Sequence, residues 1–240
     1  MKRFSLALAA LIAAACLTVA HAAPEASDPA ALKLMAACKT ASGGTALDRP
    51  AAFHETGTIV RDGHSGTYEM YGDLHALRTA GIHTIDGKVG GGGYDGTRAW
   101  HFGPDGKVVI ITDPEQLAQQ KSSAYFTLSG YFYPDRFPAT FKSLGRKKAG
   151  ARVYDVVSVT PEGGMPSNLW LDARSHRVMR LTIDGADAAG DILRYRVVDG
   201  TWIGFKNRQV EGPHKMVQTL ATYDYVPLDA DRFTPPSFGP

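Results

Sequence analysis

Two short stretches carry residue types that could perform hydrolysis. Gly63-His64-Ser65-Gly66 resembles a nucleophile elbow, but the second Gly directly follows Ser65, so the G-x-S-x-G spacing and its strand-turn-helix context are missing. Tyr94-Asp95-Gly96-Thr97 offers one carboxylate, whereas an aspartic protease needs two that share a proton. The Asp-Gly pair in that stretch is typical of a hairpin turn. Neither stretch predicts a catalytic centre.

Metal and phosphate sites lack a sequence signature as well. The eight His residues show neither an H-E-x-x-H motif nor a close paired spacing. The run Gly90-Gly91-Gly92-Gly93 is not followed by the Lys-Ser/Thr and helix of a phosphate loop, and we interpret it as a flexible connection between strands. The sequence therefore predicts a protein without enzymatic activity, catalytic residues, metal or cofactor.

The first 22 residues predict export. Lys2 and Arg3 supply a positive start, residues 4–20 an apolar run, and Ala20-His21-Ala22 a small-x-small cleavage pattern. A secretory signal peptide over residues 1–22 and a single mature domain over residues 23–240 in the periplasm are therefore expected. The alternatives are a membrane anchor, for which the run is short, and a lipoprotein signal ending at Cys16, which is followed by further apolar sequence.

Charge and cysteine content narrow the class of protein further. Of the 26 Lys and Arg residues, two leave with the signal, and the remaining 24 balance the 24 Asp and Glu residues. That balance argues against a nucleic-acid partner, and no later segment is long and apolar enough to span a membrane.

Cys38 is the one cysteine left after the predicted cleavage, so no disulfide can form within the mature chain and packing must hold the fold. Cys38 is either a small buried hydrophobe or a reactive thiol.

Two helices are expected in a chain that otherwise consists of strands. Asp28-Pro29 begins an amphipathic helix over residues 29–42, and a second helix opens at Thr112 or Asp113 with Pro114 early in it. Six Asp-Gly turns favour sequential hairpins. The β-branched and aromatic runs predict eleven strands, at residues 53–61, 66–72, 75–85, 98–103, 107–112, 151–160, 167–172, 177–184, 191–198, 202–211 and 214–226.

These elements define the expected fold class. Sequential hairpins form an antiparallel meander. A long sheet must bury the apolar side chains of one face, and the two predicted helices are the elements that can cover them. We therefore predict a mainly β protein with two helices, in which a strongly curved antiparallel sheet forms an incomplete barrel covered by the helices. Such a half-barrel tends to enclose apolar space.

The stretch Asn168–Leu181 (NLWLDARSHRVMRL) predicts two short strands joined by a polar turn. Its Leu169-Trp170-Leu171 run does not alternate as it would in a sheet with one face in water. A loop from Ala173 to His176 would place Trp170 opposite Met179. Two sets of side chains would then lie on opposite faces: Trp170, Met179, Leu181 and Ile183 on one, and Leu169, Leu171 and Val178 on the other.

Four stretches resemble the LolA/LolB-like lipoprotein-carrier superfamily, and the sequence is similar to its divergent periplasmic members. They are Tyr94–Trp100 (YDGTRAW), Leu169–Leu181 (LWLDARSHRVMRL), Val198–Phe205 (VDGTWIGF) and Val226–Phe233 (VPLDADRF). The resemblance implies an open β-barrel with helices as a lid over an apolar cavity that accepts acyl chains. Carried over residue by residue, it implies that Trp100, Trp170 and Phe205 lie on the apolar wall.

The leading hypothesis is an exported, non-enzymatic protein that holds a lipid, an acyl chain or a lipoprotein-like ligand between sheet and helices. The expected ligand contacts are large apolar and aromatic side chains: Trp100, Phe102, Tyr125, Phe126, Tyr131, Phe132, Trp170, Met179, Leu181, Tyr195 and Phe205. The segment from Pro114 to Phe137 is either a movable cover or a permanently docked element. The alternative hypothesis is an envelope protein-interaction module with a solid core.

Overall fold

A computed structural model describes residues 26–235. The predicted signal peptide, with Cys16, lies outside the described residues. Two helices are present at the expected places, α1 (Pro29–Ser42) and α2 (Pro114–Thr127). The strands are β1 (Ala52–Arg61), β2 (His64–Asp73), β3 (Arg78–Ile85), β4 (Lys88–Tyr94), β5 (Ala99–Phe102), β6 (Val108–Ile111), β7 (Ala139–Ala149), β8 (Arg152–Pro161), β9 (Ser167–Asp172), β10 (Val178–Thr182), β11 (Ala188–Val198), β12 (Thr201–Glu211) and β13 (His214–Val226).

The strands form one antiparallel sheet, as predicted. Its order is β6-β5-β4-β3-β2-β1-β13-β12-β11-β10-β9-β8-β7, so every neighbour in the sheet except the pair β1 and β13 is also a neighbour in sequence. The sheet is curved but not closed, because β6 and β7 are its two edges. This confirms the predicted class of an incomplete barrel with helices. Within residues 26–235, no helix is long and apolar enough to cross a membrane.

Two strands, β4 and β7, have no counterpart among the predicted strands. The Gly90–Gly93 run is not a flexible connection but the body of β4, where Gly91 pairs with Phe102 and Gly93 with Trp100. A Cβ atom on Gly93 would come within 2.7 Å of the Trp100 ring, and one on Gly91 within 2.8 Å of the Phe102 ring. The glycines therefore make room for two aromatic rings that lie flat across the strand.

The hairpin of β9 and β10 differs from its predicted register. Leu171 pairs with Val178 as expected, but a bulge at Met179 places Trp170 opposite Arg180 and Leu181 opposite Leu169. The extra residue moves Leu181 to the face of Leu169, so the predicted grouping of Leu181 with Trp170 is wrong.

The helices cover one face of the sheet, which we call the inner face. Ala31, Met35 and Cys38 of α1 and Ala124 and Tyr125 of α2 are buried against it. We call this packed group the helix-side cluster; its strand members include Phe53, Tyr94, Phe141, Val157, Val159, Leu169, Leu171 and Val178.

The α2 helix begins as predicted, with Asp113 Oδ1 accepting a hydrogen bond from Gln116 N at 2.9 Å.

Candidate functional site

Five of the predicted contact residues belong to the helix-side cluster. Tyr125, Tyr131 and Phe132 are buried in it, and Phe126 and Leu181 pack against it half-buried. The ring of Phe132 meets that of Tyr131 edge-on at 4.5 Å. These side chains fill the space between the helices and the sheet.

Trp100 and Phe102 lie on the opposite, outer face. Their rings stack at 6.2 Å, and Phe233, from the 3-10 turn Ala230–Phe233, is buried against them together with Ala80. We call this the outer-face cluster. It is separated from the helices by the sheet itself, because Trp100 follows Ala99, whose side chain belongs to the helix-side cluster.

Trp170 also lies apart from the helix-side cluster. Its neighbours Leu169 and Leu171 point into that cluster, so the side chain of Trp170 points to the other face. The indole Nε1 donates to Thr182 Oγ1 at 3.0 Å, and the Lys147 ammonium lies 5.6 Å from the ring centre. The Tyr154 ring meets that of Trp170 edge-on at 5.7 Å, so the Trp residue in this hairpin packs against polar, charged and aromatic neighbours.

Met179 and Tyr195 are half-buried. Met179 occupies the bulge of β10. The Tyr195 hydroxyl donates a hydrogen bond to the Val178 carbonyl, and the Arg177 guanidinium lies over the Tyr195 ring at 5.8 Å and over the Trp202 ring at 3.9 Å. The predicted contact residues thus lie at several separate places on both faces of the sheet and do not form a single apolar wall. Ligand contact by each of these residues stays a prediction.

Phe205 belongs to a second cluster on the inner face. Its buried members are Ile59, Tyr68, Phe205 and Leu220, and Ile85, Val198, Ile203, Met216 and Tyr223 pack against them partly exposed. All nine residues come from strands, so we call this the strand-only cluster. Side chains of the helices take part in the helix-side cluster but not in this one.

Glu55 lies on the inner face at the boundary between the two clusters. It stands two residues from Phe53 along β1, and it pairs with Met70 on one side and Tyr223 on the other. Its side chain is buried, and burial raises the pKa of the carboxyl from 4.5 to about 7, although the nearby Tyr68 hydroxyl opposes the rise. The Tyr68 hydroxyl is buried near this carboxyl, but among residues 26–235 it forms no hydrogen bond of normal length and angle.

An open cavity of about 350 Å³ adjoins the strand-only cluster at the tips of three hairpins. We call it the hairpin cavity. Ile85 belongs to both, which makes the apolar surface continuous with the cavity. Its wall combines charged, polar and apolar residues: Arg61, Asp62, His64, His83, Ile85, Asp86, Lys88, Val89, Gly90, Phe102, Gly103 and Pro104.

The two carboxylates of this cavity are paired with histidines. Asp86 pairs with His64 Nδ1, and Asp62 Oδ2 lies 2.8 Å from His214 Nδ1. Asp62 also accepts a hydrogen bond from Lys215 N at 2.8 Å, and this bond and His214 lower the pKa of Asp62. Burial, followed by the charge of Arg61, lowers the pKa of His83.

A second cavity, of about 250 Å³, lies between the C-terminal 3-10 turn and the outer face. Its wall contains His54 and Tyr71, whose rings stack at 4.3 Å, and both side chains contact Glu69 Oε1 at 2.8 Å. Arg232 lies over the Tyr71 ring at 4.8 Å.

Across residues 26–235, no group of three or more His, Cys, Asp and Glu side chains is arranged to hold a metal ion.

Of the strand-only cluster, Phe205 alone is among the predicted contact residues; Glu55 and the hairpin cavity were not predicted. One signal was present, because Phe53, Glu55, Gly57 and Ile59 alternate along β1 and a carboxyl therefore had to share the face of two large apolar residues. The cavity had no comparable signal, since its wall is assembled from three hairpins.

Comparison with known proteins supports the fold. No protein-family model matches the chain, and no curated protein matches it. A LolA superfamily protein from Nitrosomonas europaea is similar in structure, with a TM-score of 0.57 and 12% identity over 85% of this chain and 97% of the other. A DUF1329 family protein from Desulfovibrio piger matches with the same TM-score and coverage at 14% identity. The chain thus has a LolA-like fold, as the sequence resemblance implied.

Proposed function

We propose that this protein binds an apolar or amphipathic ligand, such as a lipid, an acyl chain or a lipoprotein, along the strand-only cluster. The observation that carries the proposal is the half-exposed apolar surface formed by Ile85, Ile203 and Met216 beside an open cavity. The volume of the hairpin cavity, about 350 Å³, is within the range of small-molecule sites. Burial of each methylene there would contribute about 0.8 kcal/mol to binding.

The proposal includes export to the periplasm and a role without catalysis. Residues 1–22 support export through their signal-like pattern, and the LolA-like fold supports a binding role. An acyl chain needs area more than polar contacts, which fits a surface made of Ile, Met, Leu and Phe side chains.

A matched pair of substitutions on β3 tests the proposal. Ile85 contributes to the strand-only cluster, whereas Ile82 is 41% exposed, and three positions along a strand place the two on opposite faces. With the neutral fluorescent probe N-phenyl-1-naphthylamine, we expect Ile85→Glu to weaken binding at least about tenfold, because a charge would be buried against the probe. Ile82→Glu should bind the probe as the unsubstituted protein does.

Solvent extraction and native mass spectrometry of protein purified from its own cells should reveal a co-purifying lipid. If no lipid is found and the probe does not bind, the proposal fails. Equal probe affinities of the Ile85→Glu and Ile82→Glu variants would show that the probe binds elsewhere, and would also contradict the proposed site.

A protein-interaction module is the second candidate. The observation that favours it is the filled space beneath the helices, where Tyr125 and Leu128 are 1% and 2% exposed. A module with a solid core would bind a protein partner through its surface and would bind neither lipid nor probe, so the same measurements separate the two candidates.

A further inference from the structure

We propose that the hairpin cavity binds the anionic group, a carboxylate or a phosphate, of an amphipathic ligand whose apolar chain lies along the strand-only cluster. This inference rests on the proposed function and assigns its ligand to a chemical class. The groups that would hold the anion are Arg61, Lys88 and His83.

The charges of Arg61 and Lys88 are available to a ligand. Within residues 26–235, neither side chain forms an ion pair, and Arg61 Nη2 lies 3.6 Å from the sulfur of Met216. Met216 belongs to the strand-only cluster, so this contact places a guanidinium directly at its edge. A guanidinium and an ammonium are the usual partners of carboxylate and phosphate oxygens.

The acidic residues of the cavity accept hydrogen bonds from groups other than Arg61 and Lys88. Asp86 is paired with His64, and Asp62 with His214 and the Lys215 backbone. Arg61 contributes to keeping Asp62 ionised, but the carboxylate already accepts two other hydrogen bonds. The histidines carry charge only when protonated, so the two carboxylates otherwise balance Arg61 and Lys88 in charge. The N–H donors of these two side chains, which form no ion pair among the described residues, would hold the anion, and not a net positive charge of the cavity.

His83 supplies a polar group that need not carry charge. Its pKa is lowered by burial and by Arg61, so its ring is neutral near pH 7 and can donate one hydrogen bond to an oxygen. His83 and Gly90 both line the hairpin cavity, and a Cβ atom on Gly90 would come within 3.0 Å of His83 Nε2, so the glycine makes room for the ring.

Ile85 joins the polar and apolar parts of the surface. It packs against the strand-only cluster and lines the hairpin cavity. A ligand with its anion at Arg61 and Lys88 would thus extend its chain over Ile85 and along the partly exposed side chains of the strand-only cluster. Only a ligand with both an anionic group and an apolar chain would contact the cations of the cavity and the strand-only cluster together.

Binding of decyl phosphate, decanoate, decanol and inorganic phosphate, measured by calorimetry, tests the inference. We expect the unsubstituted protein to bind the two anionic amphiphiles about tenfold more tightly than decanol, and added NaCl to reduce only that difference. The variant Arg61→Gln/Lys88→Gln should lose the preference and keep its affinity for decanol. The matched control Arg152→Gln/Lys206→Gln, which removes two exposed charges on other strands, should retain the preference.

The outcomes separate the two proposals. If decanol binds but neither anionic amphiphile binds more tightly, or if Arg61→Gln/Lys88→Gln retains the preference, the anion site is wrong while the proposed function stands. If inorganic phosphate alone matches the affinity of decyl phosphate, the cavity is a small-anion site and the inference is overturned. If none of the three chain-bearing compounds binds, both proposals fail.

Discussion

Glu55 links ionisation to stability because its carboxyl is enclosed by Tyr68, Met70 and Tyr223. Its folded-state pKa of about 7 lies above the ordinary value of 4.5. The stabilising effect of protonation is therefore complete below pH 4.5 and is lost as the pH rises through 7. Above pH 7, the folded state holds a buried charge at a cost of about 3 kcal/mol, from 1.36 kcal/mol per pKa unit.

Replacement of Glu55 by Gln should raise the free energy of unfolding at pH 8 by up to about 3 kcal/mol and leave it nearly unchanged at pH 4, because the amide is a neutral isostere of the protonated acid. Urea unfolding at the two pH values measures the change. Glu69→Gln on the adjacent strand is the control: its pKa is lowered by hydrogen bonds from Tyr71 and His54, so this variant should lose stability at pH 8. A pH-independent effect of Glu55→Gln would contradict the buried-acid interpretation.

At the scale of elements, α2 and the segment after it decide how far the inner face is open. Leu128, which ends the helix, packs over Gly72, where a Cβ atom would lie 2.6 Å from the Leu128 methyl group and 2.2 Å from the Phe53 ring. Phe53 stands two residues from Glu55, at the boundary of the strand-only cluster. Displacement of this segment would lengthen the apolar surface toward the helices, as the predicted lid requires.

Hydrogen exchange tests the lid. If the cover moves, amides between residues 114 and 137 should exchange faster than those of β1 and β13 without ligand, and bound decanol should slow them selectively. The reason is that a chain extending past Glu55 would pack against Leu128 and Phe132. Protection equal to that of the two central strands, with and without decanol, would instead identify a permanently docked segment.

At the scale of the whole molecule, both ends of the described chain are attached to the sheet. Before α1, Asp28 N donates to Phe141 O at 2.8 Å, and Asp28 Oδ2 accepts from Ser143 N at 2.8 Å, which covers part of the edge strand β7. After β13, the 3-10 turn carries Phe233 across the outer face to the ring of Trp100, with the Arg78 guanidinium 5.1 Å from the Phe233 ring.

Replacement of Phe233 by Ala should lower the free energy of unfolding by about 3 kcal/mol, because a side chain that is 2% exposed leaves a cavity beside Trp100. Acrylamide should then quench tryptophan fluorescence more strongly, and urea unfolding measures the stability. Leu228→Ala, in the same segment but 41% exposed, should change both quantities little. Equal effects of the two substitutions would mean that the turn does not hold the outer-face cluster together.

The sequence by itself determined the local elements. Asp113-Pro114 marks the start of α2, and the Asp-Gly pairs at 62–63, 86–87 and 199–200 adopt the positive φ angles of tight hairpin turns, because these preferences depend on a few neighbouring residues. The curved meander followed from those turns, and the resemblance to the LolA-like fold was carried by hairpin stretches.

Only the tertiary structure decided which side chains meet. The bulge at Met179 moves the side chains after it to the opposite face of the sheet, and no local sequence preference predicts where such a bulge occurs. The Gly90–Gly93 strand depends on rings from β5, and the pairing of β1 with β13 joins residues more than 150 positions apart. The candidate site shares this dependence on distant contacts. Arg61 and His83 line one cavity and Phe205 lies in the adjoining cluster only through strand registers that the chain fixes when the whole sheet forms.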